Sequence, residues 1–166
     1  KSYNISVVTD PGKSQGTVYM NYQDDGKANL TFDNAKQVNE YTALVSNSLI
    51  KFKEWSATAV ANNVQDVNKD INSADLGSSI AFNYGSWHFS FGKHTIRTTF
   101  MVYKGTPYFM VNFPKVKASD NEYIDNKSKF ILFSNVAEVE AHVASMDYTK
   151  IDEFIKKSNS AADLFN

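Results

Sequence analysis

The sequence predicts a single α+β domain over residues 1–166: an antiparallel β-sheet of about 6–8 strands, one long helix packed across a face, and one or two C-terminal helices. Three observations carry this. Strand-like segments come in runs joined by turn dipeptides, without the strand–helix alternation of a parallel sheet. Between the two runs, Val38, Tyr41, Val45, Leu49, Phe52, Trp55 and Ala59 fall three or four apart, the stripe of an amphipathic helix. The chain has 166 residues, 42% of them hydrophobic, enough to bury one core without disulfides or metal.

Tyr3 to Thr9 alternates on Tyr3, Ile5 and Val7 and reads as a strand, followed by an Asp10-Pro11-Gly12 turn. Thr17 to Gln23 puts Val18, Met20 and Tyr22 on one face. Asp25-Gly26 is a hairpin turn, and Ala28 to Phe32 returns with Leu30 and Phe32 inward. Asn34 with Gln37 has capping-box spacing at the start of the helix. The stripe continues through Val64, Val67 and Ile71. An unbroken helix of that span would be roughly 55 Å long, more than the diameter of the domain, so a bend or stop is expected near Asn62.

Asn72 to Ser79 reads as a loop. Five strand segments are expected next: Ser79–Tyr84, Trp87–Phe91, Thr95–Tyr103, Pro107–Phe113 and Lys129–Ser134. Gly85-Ser86, Gly92-Lys93 and the Lys104-Gly105-Thr106-Pro107 turn separate the first four. The polar stretch Lys115 to Ser128 is the expected mobile surface loop. Asn135 caps a last helical region striped by Val136, Val139, Val143 and Met146. Asp147 or Thr149 opens a second helix with Ile151, Phe154 and Ile155, and the tail through Leu164-Phe165 is apolar enough to dock.

Composition excludes several functions. The formal charge is −1, and Arg97 is the single arginine, so no nucleic-acid partner is expected. No apolar run approaches the ~20 residues of a membrane span. Cysteine is absent, which removes disulfides, thiolate metal sites and nucleophilic cysteine. The start at Lys1 without methionine is read as a processed secreted or periplasmic chain, the alternative being a cut boundary. Asn4-Ile5-Ser6, Asn29-Leu30-Thr31 and Asn126-Lys127-Ser128 match the glycosylation acceptor pattern.

Asp66, Asn68 and Asp70 place oxygen ligands at alternate positions, with Asp75 following. This segment resembles the calcium loop of EF-hands and, more closely, of dockerin modules; the resemblance implies Asp66, Asn68 and Asp70 as first ligands. The turn glycine of such loops is missing. The other reading is the polar end of a helix entering a loop, and no metal or cofactor is expected. His88 and His94 lie near Arg97 in sequence, so an enzyme with a pocket at these three is one possibility. Glu138 and His142 are spaced as an i,i+4 helical pair. No HExxH, Gly-x-Ser-x-Gly or Gly-x-Gly motif occurs, and Gly12-Lys13-Ser14 lacks the upstream glycine of a phosphate loop.

The run Thr95–Pro114 is aromatic-rich on both sides of its turn and does not alternate cleanly. It is buried on both faces, or it buries one face and offers the other to a partner. The expected function is an exported, non-enzymatic binding domain with Trp87, Tyr103 and Tyr108 as contact residues. Its partner would be a protein, a glycan or a small apolar ligand. Self-association through the Thr95–Phe113 hairpin, giving a homo-oligomer, is the third possibility.

Overall fold

The computed structural model describes residues 2–8, 16–23 and 27–163. The expectations at Asp10-Pro11-Gly12, Gly12-Lys13-Ser14, Asp25-Gly26 and Leu164-Phe165 lie outside them. Three strands come first: β1 (Ser2–Val8), β2 (Thr17–Gln23) and β3 (Lys27–Phe32). Helix α1 (Ala35–Ala61) follows. Then come β4 (Asp66–Tyr84), β5 (Ser86–Tyr103), β6 (Thr106–Phe113), β7 (Val116–Lys117), β8 (Asp125–Asn126) and β9 (Lys129–Phe133). Helices α2 (Val136–Ser145) and α3 (Tyr148–Asp163) close the chain. The main sheet has seven strands in the order β1-β2-β3-β4-β5-β6-β9, and every neighbouring pair is antiparallel. The α+β class, the strand number and the long helix across one face are as the sequence predicts.

Helix α1 begins where Asn34 and Gln37 place it. Asn34 Oδ1 accepts the Gln37 N–H at 3.1 Å, and Gln37 Oε1 accepts the Asp33 N–H at 2.7 Å. Val38, Tyr41, Val45, Leu49, Phe52 and Ala59 are buried against the sheet. Phe52 packs on Phe100 and Phe109 with ring centroids 6.0 and 5.4 Å away, and Trp55 stands edge-on to Phe100 at 5.8 Å. The helix stops at Ala61, with Asn62 as its cap and Asn63 in the left-handed region at φ 52°.

Beyond that stop the structure corrects the sequence reading. Val67 and Ile71 continue the helical stripe on paper but lie on β4. Residues four apart share a face in a strand as well as in a helix, so the period alone does not separate the two. The expected loop Asn72–Ser79 is also β4, paired with Thr98 to Phe91 of β5. A β-bulge at Ile71 shifts the register between Asp70 and Asn72. Gly92 marks no turn; it lies within β5 opposite Ser78, at φ +118°, a conformation that glycine alone takes without strain. Three of the five expected strand segments are therefore parts of one long hairpin. The β5–β6 turn is tighter than expected: Lys104 (φ 50°) and Gly105 (φ 78°) form a two-residue primed turn, and Thr106 and Pro107 already belong to β6.

The polar stretch 115–128 is tied down at several points. It holds the small β7–β8 ladder, and Lys115 pairs with Asp125 at 2.7 Å. Val116 and Ala118 are buried. Ser119 N–H donates to the Phe89 carbonyl at 2.7 Å, and its Oγ accepts the Phe91 N–H at 3.1 Å, so this segment borders β5.

Helix α2 repeats the capping device of α1. Asn135 Oδ1 accepts the Glu138 N–H at 2.9 Å, while Glu138 Oε2 accepts the Ser134 N–H at 2.7 Å. Asp147 accepts the Thr149 N–H and opens α3. Val139, Met146, Ile151 and Ile155 are buried, whereas Phe154 is exposed on the flank of the α3 stripe. A Cβ at Gly16 would come 2.7 Å from Ile155 Cδ1 and 3.1 Å from Val7 Cγ1, so the glycine lets α3 sit close against the start of β2, where a larger residue would make these side chains shift. The sheet curls around the helices until its two ends approach: Tyr3 of β1 and Phe133 of β9 have ring centroids 6.2 Å apart.

Candidate functional site: the open face of the sheet

No described helix packs on the sheet face opposite α1. Strand β5 shows the division most clearly because consecutive side chains alternate between faces. His88, Ser90, His94, Ile96, Thr98, Phe100 and Val102 point toward α1 and are buried. Trp87, Phe89, Phe91, Thr95, Arg97, Thr99, Met101 and Tyr103 point away.

This open face has three parts. At one end Trp87, Phe89 and Phe91 are 44%, 45% and 68% exposed, and the Phe89 and Phe91 rings stack at 5.9 Å with an interplanar angle of 4°. Across the ladder Phe89 faces Ala81, a small residue buried beneath these rings. In the centre is a groove of about 400 Å³ lined by the polar Asn68, Asp70, Thr95, Arg97, Thr99, Asn112 and Ser128 and by the apolar Met110, Phe113 and Pro114. At the far end Tyr103 is 51% exposed and Tyr108 half-buried, facing Met101 across the β5–β6 ladder.

The groove side chains hold one another in place. Arg97 Nη1 lies 3.3 Å from Asp70 Oδ2. Thr99 Oγ1 donates to Asp70 Oδ1 at 3.2 Å, Asn112 Nδ2 donates to Thr99 Oγ1 at 2.8 Å, and Thr95 Oγ1 donates to Asp75 Oδ1 at 2.6 Å. The Arg97 and Asp70 side chains are each more than half exposed, so both keep free donor and acceptor positions toward solvent.

The three expected contact residues, Trp87, Tyr103 and Tyr108, all lie on this face, but not together. Trp87 and Tyr103 stand at opposite ends of β5, roughly 50 Å apart along the strand. Asp66, Asn68, Asp70 and Asp75 are in extended β4 rather than in a cation-wrapping loop. Alternate oxygen ligands suit a calcium loop and one face of a strand equally, and pairing with β5 decides for the strand. Among the described residues no three His, Asp or Glu side chains converge on a metal position. The sequence places Phe89 and Phe91 on the expected Trp87–Phe91 strand segment but not in the contact set; their two-residue spacing from Trp87 is the signal that could have added them.

The proposed pocket of His88, His94 and Arg97 does not form, because Arg97 is on the open face and both histidines are on the helix side. His94 sits between Ser78 Oγ at 3.2 Å and Ser90 Oγ at 3.1 Å, and burial pushes its pKa below the ordinary value. His88 Nε2 is 3.1 Å from Ser86 Oγ, and its Nδ1 is 3.4 Å from an Asp120 carboxylate oxygen. The connectivity is that of a Ser-His-Asp triad. Ser86 is exposed at the hairpin end, and Asp120 is 65% exposed, so water competes at both ends of this chain.

The third histidine is differently used than its spacing suggests. Glu138 is taken up by the α2 cap, and His142 is buried between two phenols: Tyr41 Oη at 2.7 Å from Nε2 and Tyr3 Oη at 2.9 Å from Nδ1. A neutral imidazole has one donor and one acceptor nitrogen, so one phenol accepts and the other donates. Burial pushes the His142 pKa down to about 4. Burial first, and charge on Glu138 second, raise Tyr3; burial holds Tyr41 well above its ordinary value. This trio joins β1, α1 and α2.

Comparison with known proteins returns no match: no family model fits the chain, and neither a curated protein nor a solved structure is significantly similar to it.

Proposed function

We propose that the protein is a non-enzymatic binding domain whose ligand lies along the open sheet face. One observation carries this reading. A solvent-facing sheet surface would ordinarily be mostly polar, yet here half-exposed aromatic rings stand at both ends of β5, around a groove of fixed hydrogen-bonding groups. Rings provide stacking platforms, and Asp70, Arg97, Thr99 and Asn112 provide donors and acceptors between them. A small apolar ligand has no enclosed apolar cavity here. An elongated ligand carrying both hydroxyls and ring faces fits better, and a polysaccharide chain is the class with that chemistry.

The test is affinity electrophoresis and tryptophan fluorescence with neutral, acidic and amino-sugar polysaccharides. At least one class should bind, and Trp87→Ala and Tyr103→Ala should each weaken it several-fold with the melting temperature nearly unchanged. Absence of binding across the panel, or unfolding of both variants, overturns the reading.

A second reading rests on Ser86, His88 and Asp120: acyl hydrolysis with Ser86 Oγ as nucleophile and His88 as base. A fluorophosphonate probe should then label the chain, and Ser86→Ala should remove the label. An unlabelled wild-type chain removes this reading.

A further inference from the structure

Four exposed rings, Tyr84, Trp87, Phe89 and Phe91, crowd the closed end of the β4–β5 hairpin. The hairpin turns at Gly85, whose φ is +74° and where an added Cβ would meet nothing within 4 Å. This end reaches past its neighbours in the sheet. The β3 ladder stops at the Ala28–Phe82 pair, and β6 joins β5 only from Arg97 onward. A fifth ring, Tyr123, is 89% exposed in the segment 115–128, which bonds to β5 at Phe89 and Phe91.

Two features of this end point to one kind of partner. First, its rings stand on both sides of the hairpin. Trp87, Phe89 and Phe91 belong to the open face, whereas Tyr84 has the strand parity of the buried Phe82 and so belongs to the helix side, yet it is 68% exposed. A ligand lying on one sheet face meets three of these rings and misses Tyr84. A medium that surrounds the tip meets all four. Second, the tip carries no formal charge. From Leu76 to Gly92 no Lys, Arg, Asp or Glu occurs, in a chain that is 21% charged, and Lys93 follows directly. Aromatic rings at an uncharged tip with a lysine at its base suit the interface of a lipid bilayer. Trp and Tyr settle at headgroup depth, while a lysine stem lies along the apolar layer and leaves its ammonium in water.

We propose that the closed end of the β4–β5 hairpin is a membrane-interface anchor, which enters the headgroup layer of a bilayer without crossing it. Entry by about 10 Å, tip first and tilted onto the open face, immerses Tyr84, Trp87 and Phe89 and leaves Phe91 at headgroup level. Asp120 meets His88 on the opposite, helix side, so the tilt keeps its carboxylate in water. Asp120 and Glu122 in the adjoining segment, and a formal chain charge of −1, give no net attraction for anionic lipid. The partner is therefore a zwitterionic surface of the phosphatidylcholine kind, held by ring burial rather than by charge. The anchor does not rest on the polysaccharide reading: both use Trp87, and only the anchor uses Tyr84.

The test is flotation of the unaltered chain with phosphatidylcholine vesicles in a density gradient, which should carry it upward. Trp55→Phe leaves Trp87 as the only tryptophan. In that variant vesicles should shift the emission to the blue, and lipids brominated along their chains should quench it. Added salt or phosphatidylserine should change binding by less than about two-fold. Tyr84→Ser should weaken vesicle binding about ten-fold at unchanged melting temperature and leave any polysaccharide binding as it was. Absence of flotation, an emission that does not shift, binding that needs phosphatidylserine and disappears in salt, or indifference to Tyr84→Ser overturns the proposal. So does the same emission shift produced by protein concentration alone, which would make the occupant a second copy. A chain that floats but binds no polysaccharide keeps the anchor and removes the sugar reading; one that binds polysaccharide and does not float does the reverse.

Discussion

The two faces of β5 carry similar chemistry and meet different fates. On the helix side Phe100 is buried among Phe52 and Trp55. On the other side Trp87, Phe89, Phe91 and Tyr103 stay partly in water. Aromatic content therefore does not mark the core of this protein. What marks it is a second layer: α1 covers one face, and nothing described covers the other. Conversely, the helix side of β5 contains polar groups, and those of β5 are answered there. Thr98 donates to Ser48 Oγ at 2.8 Å, Ser48 to the Leu44 carbonyl at 2.7 Å, and His94 lies between two serines. Buried polar groups must be paired, while exposed rings carry no comparable requirement.

The sharpest way to break this comparison is to truncate one ring on each face. Phe109, fully buried between Phe52 and Phe133, should cost about 3–5 kcal/mol as Phe109→Ala in urea unfolding. Trp87→Ala should cost less than about 1 kcal/mol. Equal losses would mean that the open face is covered after all.

The next effect concerns the buried His142. In the unfolded chain it titrates near 6.5, and in the fold near 4. Its neutral form is the one the fold tolerates, so this contribution is complete above pH 6.5. As pH falls from 6.5 toward 4, the unfolded chain gains a proton that the folded chain does not. Stability should drop by roughly 3 kcal/mol over that window. His94, lowered by burial, acts in the same direction. Urea unfolding at pH 7.5 and pH 4.5 measures the loss, and His142→Gln should remove most of the difference between the two. An unchanged slope in that variant would place the acid sensitivity elsewhere.

Smaller effects sharpen the picture. Asn34→Ala should cost about 1 kcal/mol by leaving the Gln37 N–H without its side-chain acceptor, measured by the same unfolding curve. Arg97→Gln, on the open face, should change stability by less than about 1 kcal/mol, because its ion pair is solvent-exposed. A larger loss would make the Arg97–Asp70 pair a structural element instead of a presented one.

The sequence was most legible where one physical signal stood alone. The caps at Asn34 and Asn135, the stripe from Val38 to Ala59 and the Lys104-Gly105 turn have unambiguous local chemistry. Legibility failed where a local signal served two structures. Val67 and Ile71 fit a helix and a strand alike; Asp66, Asn68 and Asp70 fit a cation loop and a strand face alike. Asn72 to Ser79 has the composition of a loop and is held as a strand by its long-range partner on β5, a case of tertiary pairing overriding propensity. The histidines were misread for a related reason. Sequence proximity placed His88 and His94 with Arg97, but strand parity separates them. His142 finds its partners 101 and 139 residues away. Which aromatics would be left uncovered depends on where three helices dock, and no local pattern encodes that.

The bulge at Ile71 has one last consequence. Asp70 and Asp75 are an odd number of residues apart, and in an unbroken strand they would point in opposite directions. The extra residue resets the phase of β4, so that Asp70 meets Arg97 and Asp75 meets Thr95 on the same side. Keep Ile71 but pair every residue of β4 in strict alternation, and the first half of the strand would turn over. Val67 would then go to water, and the carboxylates of Asp66 and Asp70 would go under α1. Deletion of Ile71, by contrast, would leave Asp70 and Asp75 four apart and on one side of a regular strand. The bulge is thus what reconciles the number of residues in β4 with the two sides that β5 demands of it.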